Sequence, residues 1–388
     1  MRKIFPILFN MLKNGINGTK PCADKDVVEN CLLLSMLYIA RNTKPNGRFV
    51  YRNSANPEKK YSDKYYSSLR HAGTLYAMYS CEKFLNNTAI QNKRYIASEY
   101  FLNNYVKRIS DDMYGVVSKP FEEAPVLLAT SGGTGLGLIA LSNLLPENKV
   151  RLSTLKKMGN FLIFMQDSNG DFWPSYEFGT KQKSQLHSAR YYPGEACLGL
   201  LYLYENDKDE NWLETAKKGL LRLAEIGSHK SFDDMKFDHW GILAIQKLLS
   251  LPDTGLTTAQ KNYLSVYVEK NANFAMEKQN MNTQTADYGS FSLSKSLCGC
   301  ATILEGLVAA YDCVYSNVVK TRLLYSIKAG VEFLAEYQVK SGNFEGGIPA
   351  NYKWDAVEAQ NSDKEIRIDN VQHALSAWVT YKNLLSRL

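Results

Sequence analysis

Long apolar runs are missing from this chain. No stretch of its 388 residues approaches the ~18–20 apolar residues of a membrane span. Pro-, Gly- or Ser-rich linkers, low-complexity tracts and charge blocks are absent too, which leaves no seam between domains; one domain over 1–388 is the expectation. Strand-like alternation of apolar and polar residues is scarce, which disfavours a sheet-based fold. The net charge of +7 is mild, with Lys and Arg scattered. That excludes a nucleic-acid stripe but leaves room for an anionic glycan. Cysteines number seven, an odd count, and Cys31, Cys81, Cys197 and Cys313 fall inside apolar helical segments. Buried thiols in a reducing compartment fit better than disulfides, so a cytoplasmic protein is expected. The start, "MRKIFPILFNMLKNG", has a basic end and an apolar run interrupted by Asn10, with no small-residue cleavage site after it. It reads as a docking segment over about 1–22, with an unusual export signal as the competing reading.

What is present is helical period almost throughout, in a chain that is 45% hydrophobic and 22% charged. Twelve helices can be placed in pairs. The first of each pair is amphipathic, roughly 26–41, 91–107, 151–165, 211–226, 258–276 and 317–338. The second is nearly apolar all round, roughly 68–85, 133–145, 194–205, 239–250, 297–314 and 370–386. A helix apolar on every face is buried on every face, and an amphipathic one covers it from outside. Six such pairs predict an all-α (α/α)6 toroid with largely apolar inner helices. Links from inner to outer helices are short and polar ("LPENK", "YENDKDEN", "LPDTGLT"). Links from outer to inner helices are long and chemically varied. In a barrel of hairpins the long links share one rim, so the pocket is expected there, at the N-terminal ends of the inner helices.

Three of the long links echo one another: "NGRFVY", "NGDFWP" and "GNFEGG". Each reads as a glycine turn followed by an aromatic that plugs the rim, with walls for sugar stacking as the alternative.

The inner-helix starts carry charged or titratable groups. "YYPGE" puts Pro193 near the first helical position and Glu195 near the third. Taken singly, Asp238 and Asp369 are well explained as caps, because a helix N-terminus favours a carboxylate; Glu195 is harder to dismiss, though its place is also a plausible N3 capping position. Taken together they form a constellation: His71 with Arg70, Glu195 with Arg190 and Tyr192, His239 with Asp238, and Asp369 with Arg367 and His373. Carboxylate, imidazole and guanidinium in one cleft suit acid–base chemistry. Glu195, Asp238, His239, Asp369 and His373 are therefore the candidate catalytic residues. Arg70, His71, Trp173, Arg190, Tyr192, Trp240 and Arg367 are the candidate substrate contacts.

Three further features carry a bland reading beside a functional one. Cys298 and Cys300 in "SLCGCAT", with His373, could hold zinc with one position open; two helix-packing thiols are the simpler account, and no cofactor is expected. The run "SGGTGLGLIAL" contains G-x-G-x-x before a helix but has no strand before it, so close helix packing is preferred to a nucleotide site. Glu305, deeper in its helix, reads as a buried, satisfied carboxylate or a second acid.

The whole pattern resembles the six-hairpin toroid superfamily of glycosidases, sugar epimerases and polysaccharide lyases. "RHAGTLYAM", "YYPGEACLGLLYLYE", "DHWGILA" and "RIDNVQHALSAW" resemble a group of bacterial toroid proteins. "YYPGEACLGLLYLY" is also similar to a helix of the N-acylglucosamine 2-epimerase family, though the other motifs follow a different order and none of that family's catalytic residues is carried over. The resemblance implies the toroid and a glycan-type pocket. The leading expectation is a carbohydrate-active enzyme, most simply a glycoside hydrolase with Glu195 as acid, on an oligo- or polysaccharide. A uronate lyase or epimerase would instead use His239 or His373 as base, with Arg70 or Arg190 neutralising the uronate. A non-catalytic toroid binding a glycan or a protein on its rim is the alternative. A zinc toroid, similar to prenyltransferase β-subunits or lanthionine cyclases, is the third.

Overall fold

A computed structural model describes residues 25–388 apart from 55, 57, 86, 145–151, 187–190, 354 and 357–358. The expected docking segment and Arg190 therefore lie outside the described residues. Among those described are twelve helices in six hairpins, outer helix first. They are α1 (Lys25–Arg41) with α2 (Ser68–Glu82), α3 (Thr88–Tyr105) with α4 (Ser131–Ser142), and α5 (Leu152–Met165) with α6 (Tyr192–Asp207). There follow α7 (Glu210–Ser228) with α8 (His239–Ser250), α9 (Thr258–Glu277) with α10 (Leu297–Cys313), and α11 (Asn317–Glu336) with α12 (Ile368–Leu385). Each inner helix packs on the next, and α12 returns to α2, so the inner ring closes.

The apolar pattern decides which helix goes inside. Every residue of α4 is buried. In α7 the buried set is Trp212, Leu213, Ala216, Gly219, Leu220 and Ala224, one stripe at helical spacing. Side-chain caps fix several starts: Ser67 for α2, Asp238 for α8, Ser296 for α10, and a reciprocal Thr257–Gln260 capping box for α9. The glycine run of α4 serves close packing. A Cβ on Gly199 of α6 would lie 2.4 Å from the Gly135 carbonyl oxygen, so the two backbones touch.

Neighbouring hairpins are locked by one repeated rim device. Gly47, Gly170, Gly289 and Gly346 all have φ between +82° and +96°. Each lies against the next outer helix, where a Cβ would come within 2.2 Å of Ile96 O, 2.9 Å of Lys218 O, 2.1 Å of Ala329 O and 2.0 Å of Leu34 O. Two residues on, Phe49, Phe172, Phe291 and Ile348 plug the core. This confirms the first two sequence echoes, adds "YGSF" (Tyr288 to Phe291), and shifts the last by four residues. A Cβ on Gly342 would meet nothing within 4 Å, and Ile348, not Phe344, is the buried plug. A glutamine amide reinforces three of the four: Gln166 Nε2 donates to Thr215 O, Gln279 Nε2 to Ser326 O, and Gln338 Nε2 to Cys31 O, each at 3.0 Å. The same loops cap the preceding inner helix. Ile368 N donates to Tyr51 O (3.1 Å), Ser131 N to Pro174 O (3.0 Å) and Leu297 N to Ala350 O (3.1 Å).

Strands are short and confined to the long links. β1 (Arg52–Ser54) belongs to the first link. β2 (Val106–Arg108), β3 (Tyr114–Ser118), β4 (Leu128–Thr130), β5 (Ser175–Glu177) and β6 (Gln182–Ser184) form an antiparallel five-stranded sheet in that order. β7 (Glu365–Arg367) pairs antiparallel with β1, Asn53 opposite Ile366, and so ties the last hairpin to the first. Lys382 Nζ of α12 meets Glu29 Oε1 of α1 at 2.6 Å across the same junction. Runs of three to five residues are too short to show alternation, which is why the sequence hides this sheet.

Candidate active site

The inner-helix starts do converge, but the groups that meet are not all those expected. At the centre, Glu305 on α10 and His373 on α12 share a hydrogen bond, Oε2 to Nδ1, of 2.7 Å. His239, the first residue of α8, stands edge-on to His373 with ring centroids 5.6 Å apart. One ligand atom from each of His239, Glu305 and His373 lies within 4.8 Å of the other two. Trp240 packs on both imidazoles, its centroid 5.0 Å from His239 and 6.4 Å from His373. Tyr191 closes the other side of His239 at 4.8 Å. Burial pushes the Glu305 carboxyl up, and His373 pulls it only part of the way back.

Beside this cluster sits an arginine pair. Asp369, in the first turn of α12, accepts Arg367 Nε at 2.8 Å, Arg367 Nη2 at 3.0 Å and Arg70 Nε at 2.9 Å. Burial alone would raise the Asp369 carboxyl; Arg70 and then Arg367 outweigh it and hold it below the usual range. Arg70 also reaches Tyr51 OH. Both arginine side chains are 29% exposed. The Cys298 thiol points at Asp369 Oδ2, 3.9 Å away.

Glu195 stands apart from both groups. It is 2% exposed, and its buried Oε2 has no hydrogen-bond partner among the described residues, where a Cβ on Gly132 would come within 2.0 Å. Burial first and the charge of Asp238 second push its carboxyl up to about 8. Asp238 is the N-cap of α8: Oδ1 accepts Gly241 N at 3.0 Å and Oδ2 accepts Tyr267 OH at 3.2 Å. Its geometry is that of a structural cap, so the catalytic role expected from sequence has no support there.

His71 is corrected outright. It lies 1% exposed in the core, Nε2 donating to Ala97 O at 2.9 Å and Nδ1 accepting from Tyr66 OH at 2.6 Å. Phe101 and Tyr100 stack on it. Burial drives its pKa down to about 3, so it is a neutral tie between α2 and α3. Tyr192 and Trp173 are half-buried against the core. The carbonyl of Trp173 accepts from Ser131 Oγ at 2.6 Å. The thiol–imidazole zinc set is not assembled either. Residues two apart on a helix face different ways, so the Cys300 thiol turns to Ser294 O at 3.8 Å while Cys298 faces Asp369. The set that does assemble is His239, Glu305 and His373.

Sequence reasoning set Glu305 aside and missed Tyr51 and Tyr191. The signal for Glu305 was a charged residue in the middle of a wholly apolar helix. The pocket expectation also needs amending. A cavity of about 500 Å³ opens at the opposite mouth, at the C-terminal ends of the inner helices, lined by Tyr76, Tyr202, Gln246, Lys247, Asp312 and Arg387 among others. The titratable groups gather at the other rim, and Tyr76 links the two regions, 6.5 Å from Trp240.

No protein-family model matches the chain, and no curated protein does. Solved structures do. D-mannose isomerase is 11% identical, with 96% of this chain and 100% of that one covered at a TM-score of 0.68. Cellobiose 2-epimerase from Bacillus thermoamylovorans B4167 is 13% identical, with 93% and 98% covered at 0.65. The GH76A α-1,6-mannanase from Salegentibacter sp. HEL1_6 is 13% identical, with 93% and 99% covered at 0.60. At these identities the likeness is one of architecture: the chain is a closed (α/α)6 toroid.

Proposed function

We infer that the chain is a carbohydrate-active enzyme that moves a proton at the carbon next to a sugar carbonyl, an aldose–ketose isomerase. The observation that carries this reading is the His239–His373 pair, with His373 keyed to a buried carboxylate at 2.7 Å. One imidazole removes the C2 proton of an open-chain aldose and returns it to C1. The other passes the hydroxyl proton from O2 to O1, so no proton is gained or lost. Imidazole suits both jobs near neutral pH. Arg70 and Arg367 face the negative charge that builds on the enediolate oxygens. The two imidazole centroids lie 5.6 Å apart, too close to hold a sugar between them. That favours return of the proton to the same face, as in isomerisation; 2-epimerisation needs delivery from the other face. The similarity in fold to a D-mannose isomerase and a cellobiose 2-epimerase is consistent with this choice.

A glycoside hydrolase is the second reading, favoured by one observation: Glu195, pushed up to about 8, holds its proton at neutral pH as a general acid must. It lacks a free partner carboxylate, because Asp238 caps α8 and Asp369 is held by two guanidinium groups. The deciding experiment incubates the full chain with a panel of aldoses in D2O and follows C1 and C2 protons by NMR. Deuterium incorporation with ketose formation, lost in His373→Ala, supports the isomerase. Release of reducing sugar from glycosides without exchange at C2 overturns it in favour of the hydrolase.

A further inference from the structure

His239, Glu305 and His373 come from three different inner helices, yet each offers a ligand atom within 4.8 Å of the other two. Among the described residues no other group of three His, Cys, Asp or Glu side chains comes as close. Two imidazoles and a carboxylate are a donor set that divalent ions such as zinc accept, at about 2.0–2.2 Å from the metal. Ligand atoms around a tetrahedral ion of that size sit roughly 3.3 Å apart. The Glu305–His373 pair, at 2.7 Å, would open by about 0.6 Å, and the wider pairs, none beyond 4.8 Å, would close by at most about 1.5 Å to complete the set. The supports are stiff: all three residues lie on buried helices, and Trp240 and Tyr191 pack against His239. The short Glu305–His373 contact is a place where a proton is shared, and a cation can replace a shared proton between the same two atoms.

We propose that these three side chains form a divalent-cation site that takes Zn2+, and that its occupancy silences the acid–base reaction. Each imidazole that donates its lone pair to the ion can no longer accept a proton from substrate. The effect on turnover rests on the isomerase reading; the binding does not.

The test is calorimetric titration of the EDTA-treated full chain with zinc chloride, with thermal melting in parallel. One zinc per chain and a higher melting temperature are expected, since a ligand that binds only the native state raises it. Glu305→Gln, close to isosteric, should weaken binding by about 10–100-fold, and His239→Asn serves as the second variant should the first fail to fold. Cys298→Ser and Cys300→Ser should titrate like the parent. Absence of saturable binding, undiminished binding in Glu305→Gln, or loss of binding in either cysteine variant overturns the site. On whichever aldose the panel identifies, saturating zinc should stop turnover and EDTA should restore it; undiminished turnover overturns the blockade. Zinc binding that tracks Glu305 in a protein inactive on every aldose leaves the site standing and removes the isomerase reading instead.

Discussion

Glu305 Oε2 and His373 Nδ1 lie 2.7 Å apart across two helices, although 68 residues separate them in the chain. On the isomerase reading the carboxylate fixes which imidazole nitrogen carries the proton and leaves Nε2 for substrate. Glu305→Gln keeps the shape and removes that charge. Turnover should fall by about 10²-fold or more, with the melting temperature shifted by only a few degrees. Steady-state kinetics beside calorimetry check this, and unchanged turnover would mean that His373 does not act through Glu305.

The Glu195 carboxyl should tilt the stability of the protein with pH. Its folded pKa of about 8 lies above the ordinary value of 4.5. Within that window the unfolded chain has released a proton that the native state still holds. Stability should therefore fall as pH rises from about 4.5 to 8, by up to ~1.4 kcal/mol per pH unit. His71 tilts the other way, its pKa pushed to about 3 from 6.5, so its contribution is lost as pH falls through that range. Denaturant unfolding of Glu195→Gln across the same range should show a flatter decline than the parent. An equal decline in both would show that the buried carboxyl is already ionised.

Asp238 separates a cap from a catalyst. Asparagine can still accept from Gly241 N, so Asp238→Asn should keep stability within about 1 kcal/mol and retain turnover. Asp238→Ala also strands the buried Tyr267 hydroxyl and should cost about 2–4 kcal/mol. Loss of turnover in a well-folded Asp238→Asn would return this carboxylate to the reaction.

Gly346 marks the seam of the ring. Its φ of +82° and a Cβ 2.0 Å from Leu34 O leave no room for a side chain. Gly346→Ala should cost at least about 2–4 kcal/mol, read by denaturant unfolding. Gly342→Ala, where the φ is similar but nothing lies within 4 Å, should cost less.

The toroid was legible because inner and outer helices differ in kind. α4 is apolar all round and α7 only along one stripe, and that contrast survives in any window of the sequence. The convergence of His239, His373, Arg70 and Asp369 was legible for the same reason, since the start of every inner helix lies on one rim. Glu195 and Glu305 were ranked the wrong way round for the central cluster. Position along the helix distinguishes them less than the neighbour each one meets, and the pairing of Glu305 with His373 is long-range. His71 looked like a rim group by its register, but Tyr66 and Ala97 draw the ring into the core, and only the packing of α3 reveals that. The five-stranded sheet escaped because each strand is shorter than the alternation needed to see it.

The seam itself has a wider consequence. β1 pairs with β7, Gln338 clasps α1, and Lys382 reaches Glu29, so the sixth hairpin grips the first much as neighbours elsewhere grip each other. The packing is indifferent to which hairpin comes first in the chain. A circular permutant, with α12 joined to α1 by a polar linker and the chain reopened in another inner-to-outer turn such as "LPDTGLT", should close into the same ring with the two imidazoles still side by side.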